Sequence, residues 1–124
     1  MGNHIYIYYS KNSDVVYTGL DIGYGCDAFK INNNFNIQKI KTHAPSDVKA
    51  IIDYKDKTIF GTDGGGLITL SSKETERFAP DNCNISSDAI HSLFVDREGN
   101  LWAGTYRGGV NLYSTHYDWF STLQ

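Results

Sequence analysis

Apolar and polar positions alternate along this chain in short runs. Ile5-Tyr6-Ile7-Tyr8-Tyr9, Val16-Tyr17-Thr18-Gly19-Leu20, Ala50-Ile51-Ile52, Ile59-Phe60-Gly61-Thr62, Leu93-Phe94-Val95 and Leu101-Trp102-Ala103-Gly104-Thr105 are rich in β-branched and aromatic residues. Asp, Asn, Gly, Ser and Lys bound them, which is the pattern of strands between tight turns. No stretch holds a sustained helical period with caps at its ends. The pattern therefore predicts an all-β chain.

The runs also repeat. An aromatic stands just ahead of a glycine in Val16-Tyr17-Thr18-Gly19-Leu20, in Ile59-Phe60-Gly61-Thr62 and in Leu101-Trp102-Ala103-Gly104-Thr105, so Gly19, Gly61 and Gly104 recur about 43 residues apart. A glycine-bearing turn follows each: Asp21-Ile22-Gly23-Tyr24-Gly25, Asp63-Gly64-Gly65-Gly66 and Tyr106-Arg107-Gly108-Gly109. One run precedes each glycine, and two follow it, the last being Phe35 to Lys41, Thr75 to Ala79 and Asp118 to Leu123. Four short strands per repeat of this length make a β-propeller blade. The chain reads as one propeller segment, 1–124, with blade-like units at about 4–43, 44–84 and 85–124. Ala50-Ile51-Ile52 and Leu93-Phe94-Val95 suit innermost strands covered on both sides. A β-sandwich would explain the strands equally well, but it does not require the same pattern three times.

The third unit is the clearest. It runs from Ile85 through Val95-Asp96-Arg97-Glu98-Gly99-Asn100-Leu101-Trp102-Ala103-Gly104-Thr105 to Gly108-Gly109-Val110-Asn111-Leu112-Tyr113. This closely resembles the two-component regulator propeller repeat: an apolar strand ending in Asp, a turn with Gly, Leu-Trp-x-Gly-Thr, two residues, then Gly-Gly-apolar leading to Tyr. The second unit keeps Phe60-Gly61-Thr62, Gly65-Gly66-Leu67 and Leu70 but lacks the Trp, and the first keeps only Tyr17, Gly19 and Gly25. The motif residues read as structural. Asp96 bonds its own turn and Gly99 takes positive φ. Trp102 is a wedge for the seam between blades. Gly104 admits another backbone. Thr105 belongs to the motif, and Gly108-Gly109 form the second turn.

Composition narrows the function. The chain has 124 residues, 40% hydrophobic and 20% charged, with 12 Gly and 9 Tyr against 2 Pro and 1 Met. That excludes disorder and fits strands and turns. A net charge of −3 without a basic stripe argues against nucleic acid. No apolar run approaches the ~20 residues of a membrane span. The first residues lack a signal-peptide pattern, so the chain is expected to be cytoplasmic if it is a complete gene product. Cys26 and Cys83 form no CxxC pair and are read as two small apolar side chains, with one long-range disulfide as the alternative.

No catalytic motif emerges. His4, His43, His91 and His116 show no metal-ligand spacing, and Gly64-Gly65-Gly66 is not followed by the Lys-Ser/Thr of a phosphate loop. Asp81 and Asp88 read as solvated loop acids rather than a hydrolytic pair. A non-catalytic domain without metal or cofactor is expected. The better hypothesis comes from topology. In an antiparallel blade, the turn between strands two and three shares an end with the connection to the next blade. Asp21, Tyr24, Asp63, Tyr106 and Arg107 should therefore lie with Ser46, Asp47, Ser87 and Asp88, and His91 should face the channel from the inner strand. Tyr with Arg and Asp suits sugar recognition; a solvated loop rim is the plainer alternative.

The resemblance implies a sensor. Proteins with this repeat form the periplasmic region of hybrid two-component histidine kinases in Bacteroidetes-type bacteria and typically recognise oligosaccharides. The expectation is thus a periplasmic, non-catalytic sensing segment; the rival is a scaffold that binds no small molecule. Three blades are fewer than the four or more of a closed propeller. Completion by a homo-oligomer, or by missing blades of a longer chain, is therefore expected.

Overall fold

The computed structural model describes residues 6–19, 26–42, 44–45, 47–113 and 120–123. They hold β1 (Tyr6–Ser10), β2 (Val15–Gly19), β3 (Cys26–Ile31), β4 (Ile37–Ile40), β5 (Val48–Tyr54), β6 (Lys57–Thr62), β7 (Leu67–Leu70), β8 (Thr75–Phe78), β9 (Ile90–Val95), β10 (Leu101–Thr105), β11 (Val110–Tyr113) and β12 (Phe120–Leu123). Strands pair antiparallel with their chain neighbours into three four-stranded sheets, β1–β4, β5–β8 and β9–β12. These are blades 1, 2 and 3. The fold is all-β, and the three blades do not close into a ring.

Each seam between blades is an apolar core. Between blades 1 and 2 lie Val15, Tyr17 and Ala28 against Val48, Ile51 and Phe60. Phe60 is fully buried and meets Tyr17 edge to face, with ring centroids 5.1 Å apart. Between blades 2 and 3 lie Tyr54, Ile59 and Leu67 against Ile85, Ile90, Leu101 and Ala103. Successive residues of β6 point to opposite faces, and both faces of blade 2 are covered, so Thr58 through Thr62 are all buried.

Blades 1 and 3 have one covered face each. Ile7, Tyr9, Ile31 and Ile37 are exposed on blade 1, and Phe94 and Val110 on blade 3. This departs from the expected inner strand of blade 3. Phe94 is 62% exposed because no following blade lies on its side of the sheet. Trp102 shares that outer side, since alternation turns it away from buried Leu101 and Ala103. It is half-buried and, among the described residues, wedges between no two blades. The space at Gly104 is likewise closed by the Ser92 side chain, not by another backbone.

The β9–β10 turn shows how sequence builds a blade. Asp96 Oδ1 accepts from Glu98 N at 3.0 Å and Asn100 N at 2.9 Å. Asp96 Oδ2 accepts from Trp102 Nε1 at 2.8 Å. Gly99 sits at φ 81°, where a glycine is favoured. Blade 2 carries Asp53 as far ahead of its repeat glycine as Asp96 is in blade 3, but its β5–β6 hairpin is shorter by one residue: Asp53 pairs with Thr58 as Val95 pairs with Leu101, and Ile59 stands where Trp102 stands. Asp53 instead accepts across the seam to blade 1. Its Oδ1 takes Ser10 Oγ at 2.7 Å, and its Oδ2 takes Lys11 N at 2.7 Å and Tyr8 Oη at 3.2 Å. Asn12 Nδ2 adds bonds of 2.9 Å to the carbonyls of Lys55 and Lys57.

Both cysteines are free. Cys26 belongs to the first seam and Cys83 packs against the second, so they serve separate cores. Burial pushes the Cys26 thiol up to about 11.

Candidate functional site

The inter-blade loops meet at one end of the sheets. Asp63 N donates to the Asp47 carbonyl at 3.0 Å, and Asp63 pairs with Ala89 as an isolated antiparallel bridge. Gly64 N and Gly66 N both donate to the Asp88 carbonyl, at 3.0 and 2.8 Å. Tyr106 N donates to the Ala89 carbonyl at 2.9 Å. The turns after β6 and β10 are thereby fixed against the lead-in to β9. Thr62 and Thr105 tighten those turns by donating their hydroxyls to the carbonyls of Gly66 and Gly109, at 2.6 and 2.8 Å. A side chain on Gly108 would begin 2.7 Å from Thr105 Oγ1 and 3.0 Å from Ser86 Oγ, so a methyl group there would push those hydroxyls aside.

This frame brings four side chains into a row. His91 Nε2 lies 3.2 Å from Asp63 Oδ1. The His91 ring stacks on Tyr106, with centroids 5.4 Å apart and planes inclined by 20°. The Arg107 guanidinium stands 5.1 Å from the Tyr106 centroid. Asp63 comes from blade 2 and the other three from blade 3, so the row spans a seam. It is open to solvent: Tyr106 is 56% exposed. Arg107 holds φ 67°, a left-handed conformation that costs energy for any residue with a Cβ. A cavity of about 330 Å³ adjoins it, lined by Ser86, Arg107, Gly108 and Gly109.

Asp63, His91, Tyr106 and Arg107 are thus together. Asp88 contributes its carbonyl to the same end, while its carboxylate makes none of these contacts. Asp21 and Tyr24 lie outside the described residues, as do Ser46, His4, His43 and His116. Gly19 pairs with Cys26, and Gly61 lies against Ile90 of the next blade. The pairing of His91 with Asp63 escapes sequence reasoning, because the two are 28 residues apart on different blades. The only sequence signal is their place in the repeat, one just after a second strand and one at the start of the next first strand.

The row offers a carboxylate, an imidazole, a phenol and a guanidinium. These groups hydrogen-bond hydroxyls and anions. They include no serine, threonine or cysteine nucleophile set against a base. Among the described residues, no three His, Cys, Asp or Glu side chains are grouped to hold a metal ion.

A second cavity, of about 250 Å³, opens at the other end of the seam between blades 2 and 3. Tyr54, Lys57, Thr69, Phe78 and Tyr113 are among its walls. Sequence analysis pointed to none of them.

Comparison with known proteins bears on the row directly. Residues 84–107 match the sequence profile of the two component regulator propeller. The match takes in His91, Asp96, Trp102, Tyr106 and Arg107. The search of curated proteins finds no match. Among solved structures, the fold is similar to the extracellular domain of a hybrid two component system from B. thetaiotaomicron, with a TM-score of 0.70 and 19% identity. That similarity covers 95% of this chain but only 16% of the other, so the chain spans about a sixth of that domain. In its repeat at residues 84–107 and in the fold of its blades, the chain is similar to the two component regulator propeller.

Proposed function

We propose that this chain is a non-catalytic, ligand-sensing propeller segment of a hybrid two component system. We further propose that it works in the periplasm and that the row Asp63–His91–Tyr106–Arg107 contributes to recognising an oligosaccharide. The observation that carries the reading is the row itself. Polar and aromatic side chains of two blades are held together, exposed, on a hydrogen-bonded loop frame. Arg107 and Asp63 present charged groups to hydroxyls, and the stacked rings hold them in place before a ligand arrives, which lowers the cost of binding. Because the row crosses a seam, a ligand that touches both ends changes the energy of that seam. This is the differential contact that a sensor needs. The extracellular domain to which the fold is similar supports the location.

The second reading is a scaffold without a small-molecule ligand. The exposed apolar outer faces of blades 1 and 3 favour it. Calorimetric titration with a panel of polysaccharide fragments separates the two. The sensing reading expects at least one fragment to bind, with affinity reduced tenfold or more in Tyr106→Ala and Arg107→Ala. Unchanged affinity in both variants removes the row from the site. Silence across the panel, together with a stable oligomer, favours the scaffold.

A further inference from the structure

The cavity at the far end of the seam between blades 2 and 3 is walled on both sides by this chain. Ile59, Leu67 and Leu101 form its floor, and each is 2% exposed or less. Tyr54, Phe78 and Tyr113 supply aromatic walls. The rings of Tyr54 and Tyr113 stand at 90° to each other, with centroids 6.3 Å apart. The Tyr54 hydroxyl is engaged by the Gly99 carbonyl, so this residue offers the cavity its ring.

Thr69 breaks the apolar lining. It pairs with Ile59 on one side and Glu76 on the other, and it is 5% exposed. It lines the cavity, and among the described residues its hydroxyl has no hydrogen-bond partner. A hydroxyl in such a place costs stability until something pairs with it. The mouth, by contrast, is balanced in charge. Lys57 pairs with Glu76 at 3.5 Å, and Lys55 and Asp56 stand side by side in the turn. The volume is about 250 Å³. An apolar cavity of about 150 Å³ already accepts benzene.

We propose that this cavity binds a small neutral aromatic alcohol, a phenol, with its ring on the apolar floor and its hydroxyl on Thr69 Oγ1. The volume admits one ring with a substituent. Tyr54 and Tyr113 offer edge-to-face contact to a further ring. One buried hydroxyl matches one ligand hydroxyl, whereas a sugar would bring several and leave most of them unpaired. The balanced mouth gives a carboxylate or an ammonium group no net attraction to offset its desolvation. Thr69 and Phe78 belong to blade 2, and Leu101 and Tyr113 to blade 3, so the ligand bridges the seam and stabilises it by mass action. The site is separate from the row and does not rest on the sensing reading.

The test is a titration of the whole chain with phenol, followed in proton–nitrogen NMR spectra. Saturable binding is expected, with a Kd of about 1 mM or tighter. The amides of Thr69, Leu101 and Tyr113 should shift most, and those of Tyr106 and Arg107 should stay in place. Benzoate and benzylammonium should bind about tenfold more weakly or worse. Thr69→Val keeps the shape of the side chain and deletes its hydroxyl. It should weaken phenol about fivefold and leave toluene unchanged, while Thr69→Ser keeps phenol binding. The spectra of both variants report whether they are folded, and the wild-type probes decide the matter if they are not. Shifts that do not saturate, or that centre on Tyr106, overturn the proposal. Phenol binding that Thr69→Val leaves intact overturns it, as does an equal loss for toluene. Cyclohexanol or benzoate binding as tightly as phenol overturns the assigned ligand class.

Discussion

Ser10 and Asp53 join blade 1 to blade 2: the Ser10 hydroxyl donates to Asp53 Oδ1 over 2.7 Å. Ser10 is fully buried, so its hydroxyl has no water to fall back on. A hydrogen bond to a charged group contributes about 1.5–3 kcal/mol. Ser10→Ala is therefore expected to lower the unfolding free energy by about 2 kcal/mol. Asp53→Ala should cost more, since it also removes the carboxylate that accepts from Lys11 N and Tyr8 Oη. Urea denaturation of both single variants and the double variant checks this. The double variant should lose less than the two singles together. A Ser10→Ala variant as stable as the wild type would show that the bond does not hold the seam.

Asp96, in the first turn of blade 3, gives a pH dependence. The Trp102 indole N–H, followed by the Asn100 amide, holds the Asp96 carboxyl below the usual carboxylate value. A carboxylate whose folded pKa is depressed stabilises the fold above its unfolded value of about 3.9, and that contribution is lost as pH falls through the lower folded value. The denaturation midpoint of the wild type should thus drop below about pH 4. In Asp96→Asn the midpoint should be lower at neutral pH, and its fall in acid should be shallower. Parallel acid profiles for the two proteins would refute the assignment.

The repeat made the blades legible, because aromatic-glycine pairs recur at fixed spacing and each marks a second strand. Topology then placed Asp63, Tyr106 and Arg107 at one end, since antiparallel turns alternate. Their contact with His91 was not legible. It depends on how far blade 3 is rotated against blade 2, which the packing of Ile90 on Gly61 sets and no local pattern encodes. The divergent roles of Asp53 and Asp96 were hidden for a related reason. The two aspartates look alike in sequence, and only the shorter β5–β6 hairpin, which pairs Asp53 with Thr58 as Val95 pairs with Leu101, decides that the Asp53 carboxylate faces across the seam. The exposure of Phe94 was missed because an apolar run reads as buried whether or not the chain supplies its cover.

Gly61 and Gly104 occupy the same place in successive blades but should respond differently to a methyl group. A Cβ at Gly61 meets Ile90 Cγ2 at 2.8 Å and the Ile90 carbonyl oxygen at 3.0 Å, and the backbone cannot swing aside. Overpacking of this kind costs about 1–3 kcal/mol. At Gly104 the obstacle is the Ser92 hydroxyl, on an exposed side chain free to change rotamer. Gly61→Ala should lower the thermal midpoint by several degrees, and Gly104→Ala by clearly less, in scans at low protein concentration. Equal losses would show that the Gly61–Ile90 contact is not specially tight.

Tyr54 sets an alkaline limit. Its hydroxyl donates to the Gly99 carbonyl at 2.7 Å, tying the first turn of blade 2 to that of blade 3. Burial raises its pKa above the usual phenol value, and the charge of Asp96 adds to the rise. Tyr17 shifts the same way, chiefly through burial. A raised folded pKa means that the native state keeps the proton more tightly than the unfolded chain does. The associated stability is intact below the unfolded value of about 10 and is lost as pH climbs through the folded one. Tyr54→Phe deletes the donor and leaves the Gly99 carbonyl short of a partner, at a cost of about 1 kcal/mol near neutrality. It also removes one titrating group, so urea midpoints followed from about pH 7 to 11 should fall less steeply in the variant than in the wild type. Tyr17 remains in both, so part of the fall persists. A variant that matches the wild type at neutral pH and falls just as steeply in alkali would show that the Tyr54–Gly99 tie contributes nothing to the seam.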